Sequence, residues 1–185
     1  MAVCHYSRSH ALLLRPGSPS LAGKRSLMAL GTPATVALDA LGITFTAHPY
    51  AHDASNQDYG IEAATVLGVS PEQVFKTLMT VVDDEMIVAV VPVSGKLDLK
   101  ALASTLGGKK ATMAEPAVAQ RRTGYVLGGI SPIGQRLPHR TVIDETVELF
   151  ETVFVSGGTR GFDIELSPAD LLRATDAHVG AIARD

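Results

Sequence analysis

Three short segments of the chain carry the groups best suited to bind or react with a ligand. Lys76 interrupts an apolar run at residues 74–79, and its ammonium group could bind a phosphate or a developing oxyanion. Three glycines and a proline crowd residues 128–134, so the backbone N–H and C=O groups of that loop can approach a ligand closely. Residues 156–161 are a second glycine-rich stretch, and Asp163 follows them. These segments are the candidates for a functional site.

Each candidate also has a purely structural interpretation. A lysine in a strand is usually an outward-facing surface residue. Glycine and proline often only punctuate the chain, so residues 128–134 could be a structural turn and residues 156–161 a plain hairpin loop. Asp163 stands between two apolar strand residues and points to the opposite face from them, toward solvent or a pocket. Residues 128–134 match neither a phosphate-binding Walker loop nor a G-x-S-x-G nucleophile elbow.

Other reactive side chains form no recognisable catalytic or metal-binding pattern. His48 and His52 have the i, i+4 spacing of ligands on a helix, but Pro49 breaks that helix and no Cys or HExxH pattern accompanies them. No Ser/His/Asp or Cys/His arrangement can be identified from residue order, and Cys4 is the only cysteine. We therefore expect no metal and no cofactor, and we identify no side-chain nucleophile.

Helix-capping residues, prolines and turn residues predict the helices and strands that position these segments. Thr32-Pro33 and Ser167-Pro168 each pair an N-cap with a proline at the first helical position. Residues 74–82 and 86–93, separated by Asp83-Asp84-Glu85, are typical of a hairpin. Further strands are predicted at residues 43–48, 125–127, 141–144, 151–156 and 162–166, and further helices at 60–67, 99–106 and 115–122. The order is mixed, which favours a mixed α/β (α+β) domain with a central twisted, mostly antiparallel sheet or barrel flanked by short helices.

Composition limits the class of protein. The 185 residues suit one domain, and 46% hydrophobic with 19% charged residues is a globular balance. The formal net charge of −3 and an aromatic content of 5% argue against a general nucleic-acid-binding surface, so any RNA contact should be local or shared with a partner protein. A single cysteine favours a reducing, cytoplasmic setting, and no apolar run is long enough to span a membrane.

The first 30 residues differ from the rest of the chain. They contain four Arg or Lys residues and no acidic residue. Three interpretations stay open: an extension upstream of a true start at Met28, a flexible functional tail, or a targeting segment. We predict that residues 1–30 are an N-terminal extension and that residues 31–185 form the functional domain.

Several segments together resemble the YbaK/EbsC family, and most closely its Cys-tRNA(Pro) deacylase branch. The resemblance runs from about Thr32 to Arg184 and is most specific at residues 128–135 (GGISPIGQ). The segments that carry it are TAHPYAHD at 46–53, VFKTL at 74–78, GKLDL at 95–99, YVLGGISPIGQ at 125–135 and VSGGTRGFDIEL at 155–166. The resemblance implies the fold of the prolyl-tRNA synthetase editing domain.

The resemblance also implies a site and an activity. The implied activity is trans-editing: cysteine is removed from mischarged tRNA(Pro), with Cys-tRNA(Cys) as a second candidate, when the substrate's own thiol attacks the aminoacyl ester. Tyr59 stands where a phenylalanine is expected, which puts the fit of the substrate there in doubt. The implied partners are aminoacyl-tRNA and a transiently bound prolyl-tRNA synthetase, with no DNA and no membrane. The implied catalytic residues are Lys76, Gly128, Ser156 and Asp163, and the implied substrate-binding residues are Tyr50, Tyr59, Thr77, Gly129, Ile130, Ser131 and Pro132.

Three other functions remain open at this point. One is a non-catalytic module that binds tRNA or a synthetase, which a solvent-facing Lys76 remote from Gly128 would favour. Another is a deacylase for a different small amino acid, such as alanine or serine. The third is an esterase acting on small activated esters, which the lack of a nucleophile disfavours.

Overall fold

The computed structural model describes Met1 and residues 31–185, so the predicted extension at residues 1–30 lies outside the described residues apart from Met1. The helices are α1 (Pro33–Ala40), α2 (Tyr59–Leu67), α3 (Leu99–Thr105), α4 (Pro116–Thr123), α5 (Pro168–Thr175) and a 3-10 helix at Glu145–Leu149. The strands are β1 (Thr46–Pro49), β2 (Val74–Val82), β3 (Glu85–Pro92), β4 (Lys96–Leu97), β5 (Ala111–Met113), β6 (Arg140–Asp144), β7 (Val153–Thr159), β8 (Phe162–Leu166), β9 (His178–Gly180) and β10 (Ala183–Arg184).

Eight strands form one mixed sheet, and β4 and β10 pair separately. The sheet order is β1-β8-β7-β2-β3-β6-β9, with β5 pairing against β2. The pairs β1–β8, β7–β8, β2–β3 and β2–β5 are antiparallel, whereas β2–β7, β3–β6 and β6–β9 are parallel. The predicted mixed α/β class with a central sheet is confirmed. The seven predicted strands were too few, because strands of two or three residues, such as β4, β5, β9 and β10, are too short to show a period-2 pattern.

Helix ends follow the predicted capping chemistry. The Thr32 hydroxyl accepts from the backbone N–H of Thr35, and the Ser167 hydroxyl accepts from that of Asp170. Both residues precede a proline at the start of the helix, where the missing N–H would have no intrahelical partner. Gly68 ends α2 in the left-handed conformation, which a residue without Cβ adopts without strain.

One local prediction was wrong, and another was right only in part. Residues 125–127 form no strand, although their apolar run resembles one. The hairpin turn considered at residues 156–161 is present but shorter, because β7 continues to Thr159 with a register shift after Ser156 and the chain turns at Arg160 and Gly161. A Cβ on Gly157 would lie 2.4 Å from the Phe162 ring, so this glycine lets an aromatic side chain pack on the strand.

Apolar residues cover both faces of the sheet. One face packs against α1, α4 and α5 through residues such as Leu38, Ala119 and Leu171. The other face packs against α2 through Ala63 and against α3 through Leu102. The strands are therefore buried on both sides, which explains the nearly continuous apolar run of β3.

Candidate active site

A cavity of about 270 Å³ lies beside β2, between the N-terminal end of α2, the loop that contains Gly128, and the end of β7. It is small enough to suit an amino-acid-sized group. The sequence-predicted site residues that line it are Tyr50, Tyr59, Lys76, Thr77, Gly128, Ile130, Ser156 and Asp163. All four of the predicted catalytic residues thus face one cavity, although they come from three separate regions of the chain.

The cavity exists because β2 lacks a neighbour along part of one edge. On that edge β2 pairs with β7 only at Val74 and Phe75, and with β5 only from Thr80 to Val82. Within the described residues no strand pairs with the stretch between them, centred on Thr77. The other edge pairs with β3 from Phe75 to Val82, so β2 stays extended and rigid while its open edge faces the cavity.

Thr77 directs its polar groups toward this opening. Alternate residues of a strand send their N–H and C=O groups to opposite edges. Val93 donates its N–H to the Val74 carbonyl on the β3 side, and Ala114 donates its N–H to the Met79 carbonyl on the β5 side. The backbone N–H and C=O groups of odd-numbered β2 residues therefore point to the open edge. The Thr77 hydroxyl is buried and has no hydrogen-bond partner within the described residues. Thr77 therefore offers main-chain and side-chain groups to a ligand.

Lys76 is half-buried at the cavity wall and is not the outward-facing surface lysine of the structural interpretation. Its ammonium donates to the carbonyl of Gly95 at 2.7 Å and to that of Val93 at 3.4 Å. Burial lowers the pKa of Lys76, with a smaller contribution from Lys96, while the negative charge of Asp58 opposes the shift. Two carbonyls thus hold the cation in place, and no carboxylate of the described residues lies within salt-bridge distance of it, so it can still attract an anion.

Buried Asp163 and half-buried Tyr50 interact at the wall of the cavity. Asp163 is 6% exposed, and burial raises the pKa of its carboxyl to about 6, against the opposing effects of the Tyr50 hydrogen bond and the His48 charge. Burial, with Asp163 next, also raises the pKa of the Tyr50 phenol. Tyr50 and Asp163 therefore influence each other's ionisation, and a carboxyl with a pKa of about 6 can change protonation state during a reaction.

Ser156 lies directly opposite Asp163 in the antiparallel β7–β8 pair. Its hydroxyl oxygen accepts from the backbone N–H of Gly158 at 3.3 Å, so the hydroxyl is oriented by its own strand. Neither nearby histidine serves it as a base. His48 binds Glu165 at 2.8 Å, and His52 binds Glu62 at 2.7 Å. Ser156 thus lacks the His partner that activates a serine nucleophile.

Gly128 packs against the ring of Tyr59. Gly128 has φ +80°, and a Cβ there would lie 2.6 Å from a ring carbon of Tyr59, so both conformation and space require glycine. The Arg160 guanidinium lies 5.1 Å from the centroid of the Tyr59 ring and donates to the Leu127 carbonyl at 2.9 Å. Tyr59 is therefore fixed between the glycine loop and a cation at the cavity mouth.

Three of the predicted substrate-binding residues do not line this cavity. Gly129 abuts the backbone of Thr159, where a Cβ would lie 2.9 Å from the carbonyl carbon. Ser131 is fully buried, and its hydroxyl accepts from the N–H of Ile133. Pro132 lines a different cavity, together with Gln135 and His139. These three residues shape the loop that presents Gly128 and Ile130.

Asp58 and Glu62 also support the site, and neither was predicted. Asp58 lines the cavity and caps α2 by accepting from the N–H of Ile61, a role that its position before the helix could have signalled. Glu62 is 8% exposed and accepts from His52 and from the N–H of Asp53. It anchors the segment between Tyr50 and α2, a long-range task that no local pattern predicts. No group of three or more His, Cys, Asp or Glu residues in the described part of the chain could hold a metal ion.

Comparisons with known proteins show what the chain is similar to in sequence. The family model described as an aminoacyl-tRNA editing domain matches residues 57–174. The chain is 38% identical over 120 residues, 64% of this chain and 73% of the relative, to EbsC of Enterococcus faecalis, named provisionally as a Cys-tRNA(Pro)/Cys-tRNA(Cys) deacylase. It is 31% identical over 49% of this chain and 54% of the relative to a multifunctional Ser/Thr-tRNA deacylase, ProXp-y, of Escherichia coli K12.

A solved structure gives the same picture of the fold. The crystal structure of a protein described provisionally as a trans-editing enzyme for prolyl-tRNA synthetase superposes with a TM-score of 0.73 at 26% identity. The match covers 85% of this chain and the whole of that one. Among the described residues, no helix is both long and apolar enough to cross a membrane.

Proposed function

The chain belongs to the aminoacyl-tRNA editing domain family, as the sequence segments predicted, and on that premise we propose that it is a trans-editing deacylase that removes cysteine from mischarged tRNA(Pro). The observation that carries the proposal is the convergence of Lys76, Gly128, Ser156 and Asp163 on one cavity of about 270 Å³. The name of the 38% identical relative supports cysteine as the amino acid. A cytoplasmic setting goes with this proposal, because the substrate belongs to translation.

The absence of an activated nucleophile among the cavity side chains supports attack by the substrate itself. In the proposed reaction the cysteine thiolate attacks its own ester carbonyl carbon, and a C–S bond forms as the C–O bond to the terminal ribose breaks. The ribose oxygen leaves with a proton, and water later opens the cyclic thiolactone to free cysteine. The enzyme then needs only to hold the substrate in an attack geometry, and positioning alone can supply a large part of the rate enhancement.

The cavity residues suit these positioning tasks. The Lys76 ammonium binds an oxygen or phosphate of the terminal adenosine and stabilises the negative charge that develops at the ester. The Gly128 carbonyl accepts a hydrogen bond from the substrate's α-amino group, which the close approach of a glycine backbone permits. Tyr50 and Asp163 polarise the wall of the cavity that they both line. Ser156 orients the side chain of the substrate.

Serine is the second candidate amino acid, because a relative is named as a Ser/Thr-tRNA deacylase. Serine and cysteine differ by one atom, so pocket fit alone should separate them by about 1–3 kcal/mol. A thiol with a pKa near 8.5 is ionised to a few per cent at pH 7, whereas a hydroxyl is not. A rate ratio above about 200-fold in favour of Cys-tRNA would therefore indicate that the thiol takes part in the reaction, because pocket fit alone cannot produce so large a ratio.

The test compares Cys-tRNA(Pro), Ser-tRNA(Pro) and S-methyl-Cys-tRNA(Pro) as substrates of the purified protein. We expect fast release of cysteine and slow release of serine. S-methylcysteine should be released no faster than in the uncatalysed reaction. Rapid release of free S-methylcysteine would overturn attack by the substrate thiol and indicate an enzyme-activated water, with Asp163 as its base. Failure to cleave all three would overturn the deacylase proposal.

Lys76→Ala tests the role of the cation. We expect loss of deacylation with little loss of fold, because the ammonium contacts only two carbonyls that the cavity or solvent can rehydrate. Lys109→Ala is the matched control, since Lys109 is an exposed lysine away from the cavity. Near-normal activity of Lys76→Ala would contradict the assignment. The alternative of a non-catalytic module loses its main support, because Lys76 and Gly128 line the same cavity.

Prolyl-tRNA synthetase is the proposed partner that selects the tRNA. With a net charge of −3, the protein alone should bind tRNA weakly and with little choice between tRNA bodies. Adding the synthetase should increase deacylation of tRNA(Pro) relative to other tRNAs charged with cysteine. A tight complex of the protein alone that is selective for tRNA(Pro) at physiological salt would contradict this division of labour.

A further inference from the structure

Two cations face each other across the small β4–β10 sheet. Lys96 and Arg184 are direct partners in the antiparallel register, so their Cβ atoms lie about 5 Å apart. Both residues are exposed, and neither forms a salt bridge with another described residue. Like charges placed directly opposite each other destabilise a strand pair. An arrangement that opposes folding in this way suits an external anion.

This pair, here called the basic ledge (Lys96 and Arg184), adjoins the cavity. Lys96 follows Gly95, whose carbonyl accepts the hydrogen bond from the Lys76 ammonium, and Val93 of the same turn lines the cavity. A Cβ on Gly95 would lie 3.3 Å from the Arg184 carbonyl oxygen, so the two strands are closely packed there. The ledge thus extends the positive potential of Lys76 from the cavity wall onto the surface.

Acidic residues also lie near the ledge. Arg184 lines a surface depression together with Glu72, Glu145 and Asp185, and Asp98 follows β4 in the chain. Asp98 accepts from the N–H groups of Lys100 and Ala101 at the start of α3. Those two hydrogen bonds lower the pKa of Asp98, and Arg184 and Lys100 add smaller effects through their charges. Asp98 moderates the local potential but forms no ion pair with either cation of the ledge.

We propose that the basic ledge binds the phosphodiester backbone of the RNA strand whose aminoacylated end enters the cavity. The inference rests on the proposed function, because an aminoacyl ester held beside Lys76 brings its preceding phosphates to the cavity mouth. The ledge then supplies the local RNA contact that a chain of net charge −3 needs, since phosphate neutralisation dominates such affinity. Two cations on adjacent strands can contact successive phosphates of one strand without reading its bases.

The experiment measures RNA binding by the full-length protein and does not depend on ester cleavage. An uncharged acceptor-stem minihelix with a single-stranded 3′ end is labelled, and its Kd is determined by fluorescence anisotropy at 50 and 200 mM KCl. Wild type is compared with Lys96→Gln/Arg184→Gln. The matched control is Lys109→Gln/Lys110→Gln, which removes the same charge from exposed lysines beside Asp83, at the far end of β2.

Each phosphate contact contributes roughly 0.7–0.9 to the slope of log K against log salt, so its loss lowers the Kd ratio between the two salt concentrations about threefold. The ledge variant should therefore show a ratio about tenfold smaller than wild type, whereas the control should keep the wild-type ratio. The melting temperature of the ledge variant should not fall, because that variant removes the repulsion between Lys96 and Arg184.

An unchanged salt dependence in the ledge variant would overturn the proposal, and so would an equal loss in the control. If the ledge binds an acidic protein surface and not RNA, the salt dependence of RNA binding should be unchanged in the ledge variant. Because the RNA is uncharged, failure of the deacylase proposal would appear separately, as a wild-type protein that binds the minihelix but cleaves no aminoacyl ester.

Discussion

Asp163→Asn should make the stability of the protein less dependent on pH. The folded-state pKa of Asp163, raised by burial from 3.8 to about 6, lies above its unfolded value. Folding therefore favours the protonated carboxyl, and the resulting stability is fully present below pH 3.8 and is lost as the pH rises through 6. Asparagine cannot ionise, so the variant does not suffer this loss. The variant should gain stability relative to wild type across that range.

The magnitude follows from the size of the shift. A pKa difference of one unit corresponds to about 1.4 kcal/mol, so the shift from 3.8 to about 6 corresponds to about 3 kcal/mol. For a chain of this size that is about 6–12 °C in melting temperature. The effect of Tyr50 on the Asp163 carboxylate is already contained in the pKa of about 6, so it needs no separate allowance.

The assay is urea unfolding of wild type and variant from pH 3.5 to 7.5, because titrations shared by both proteins cancel in the difference. The free energy of unfolding of Asp163→Asn minus that of wild type should rise by about 3 kcal/mol across the range. Glu165→Gln, two positions along the same face of β8, is the matched control. Hydrogen bonding from Thr152 and then His48 lowers the pKa of Glu165, so the Glu165 carboxylate stabilises the fold above pH 4.5. The free energy of unfolding of Glu165→Gln minus that of wild type should therefore fall as the pH rises. A flat difference for Asp163→Asn would refute the buried-carboxylate reasoning.

Three further predictions concern the cavity and the chain before it. Gly128→Ala should abolish activity and should lower stability more than Gly107→Ala does. Both glycines have positive φ, which costs alanine about 1–2 kcal/mol, but only at Gly128 would the added Cβ also meet the Tyr59 ring. Equal unfolding free energies of the two variants would contradict this. Thr77→Val should keep or gain stability, because its buried hydroxyl has no partner within the described residues, yet raise KM for the aminoacyl ester; an unchanged KM would remove Thr77 from the binding residues. Deleting residues 1–27 should leave kcat/KM and melting temperature nearly unchanged, and a large fall in either would show that the segment packs or acts.

Much of the local structure could be predicted because its causes are local. A cap at Thr32 or Ser167 needs only a hydroxyl, a following proline and an N–H three residues on. The β2–β3 hairpin needs two apolar runs and a short polar turn, and the structure has that turn at Asp83 and Asp84. The family segments carried the expectation that Lys76 acts in a pocket. Each of these signals lies within a few residues of the feature that it predicts.

The cavity and its chemistry were decided by the tertiary structure. Thr77 faces an opening because β7 and β5 reach β2 at different positions, and neither strand is close to it in sequence. The pKa of Asp163 depends on the depth at which β8 is buried, which no spacing of residues reveals. The sequence determined which residue types were available and where the chain turns. The packing of distant strands determined which of them share a cavity, because solvation and hydrogen-bond partners are set by neighbours in space.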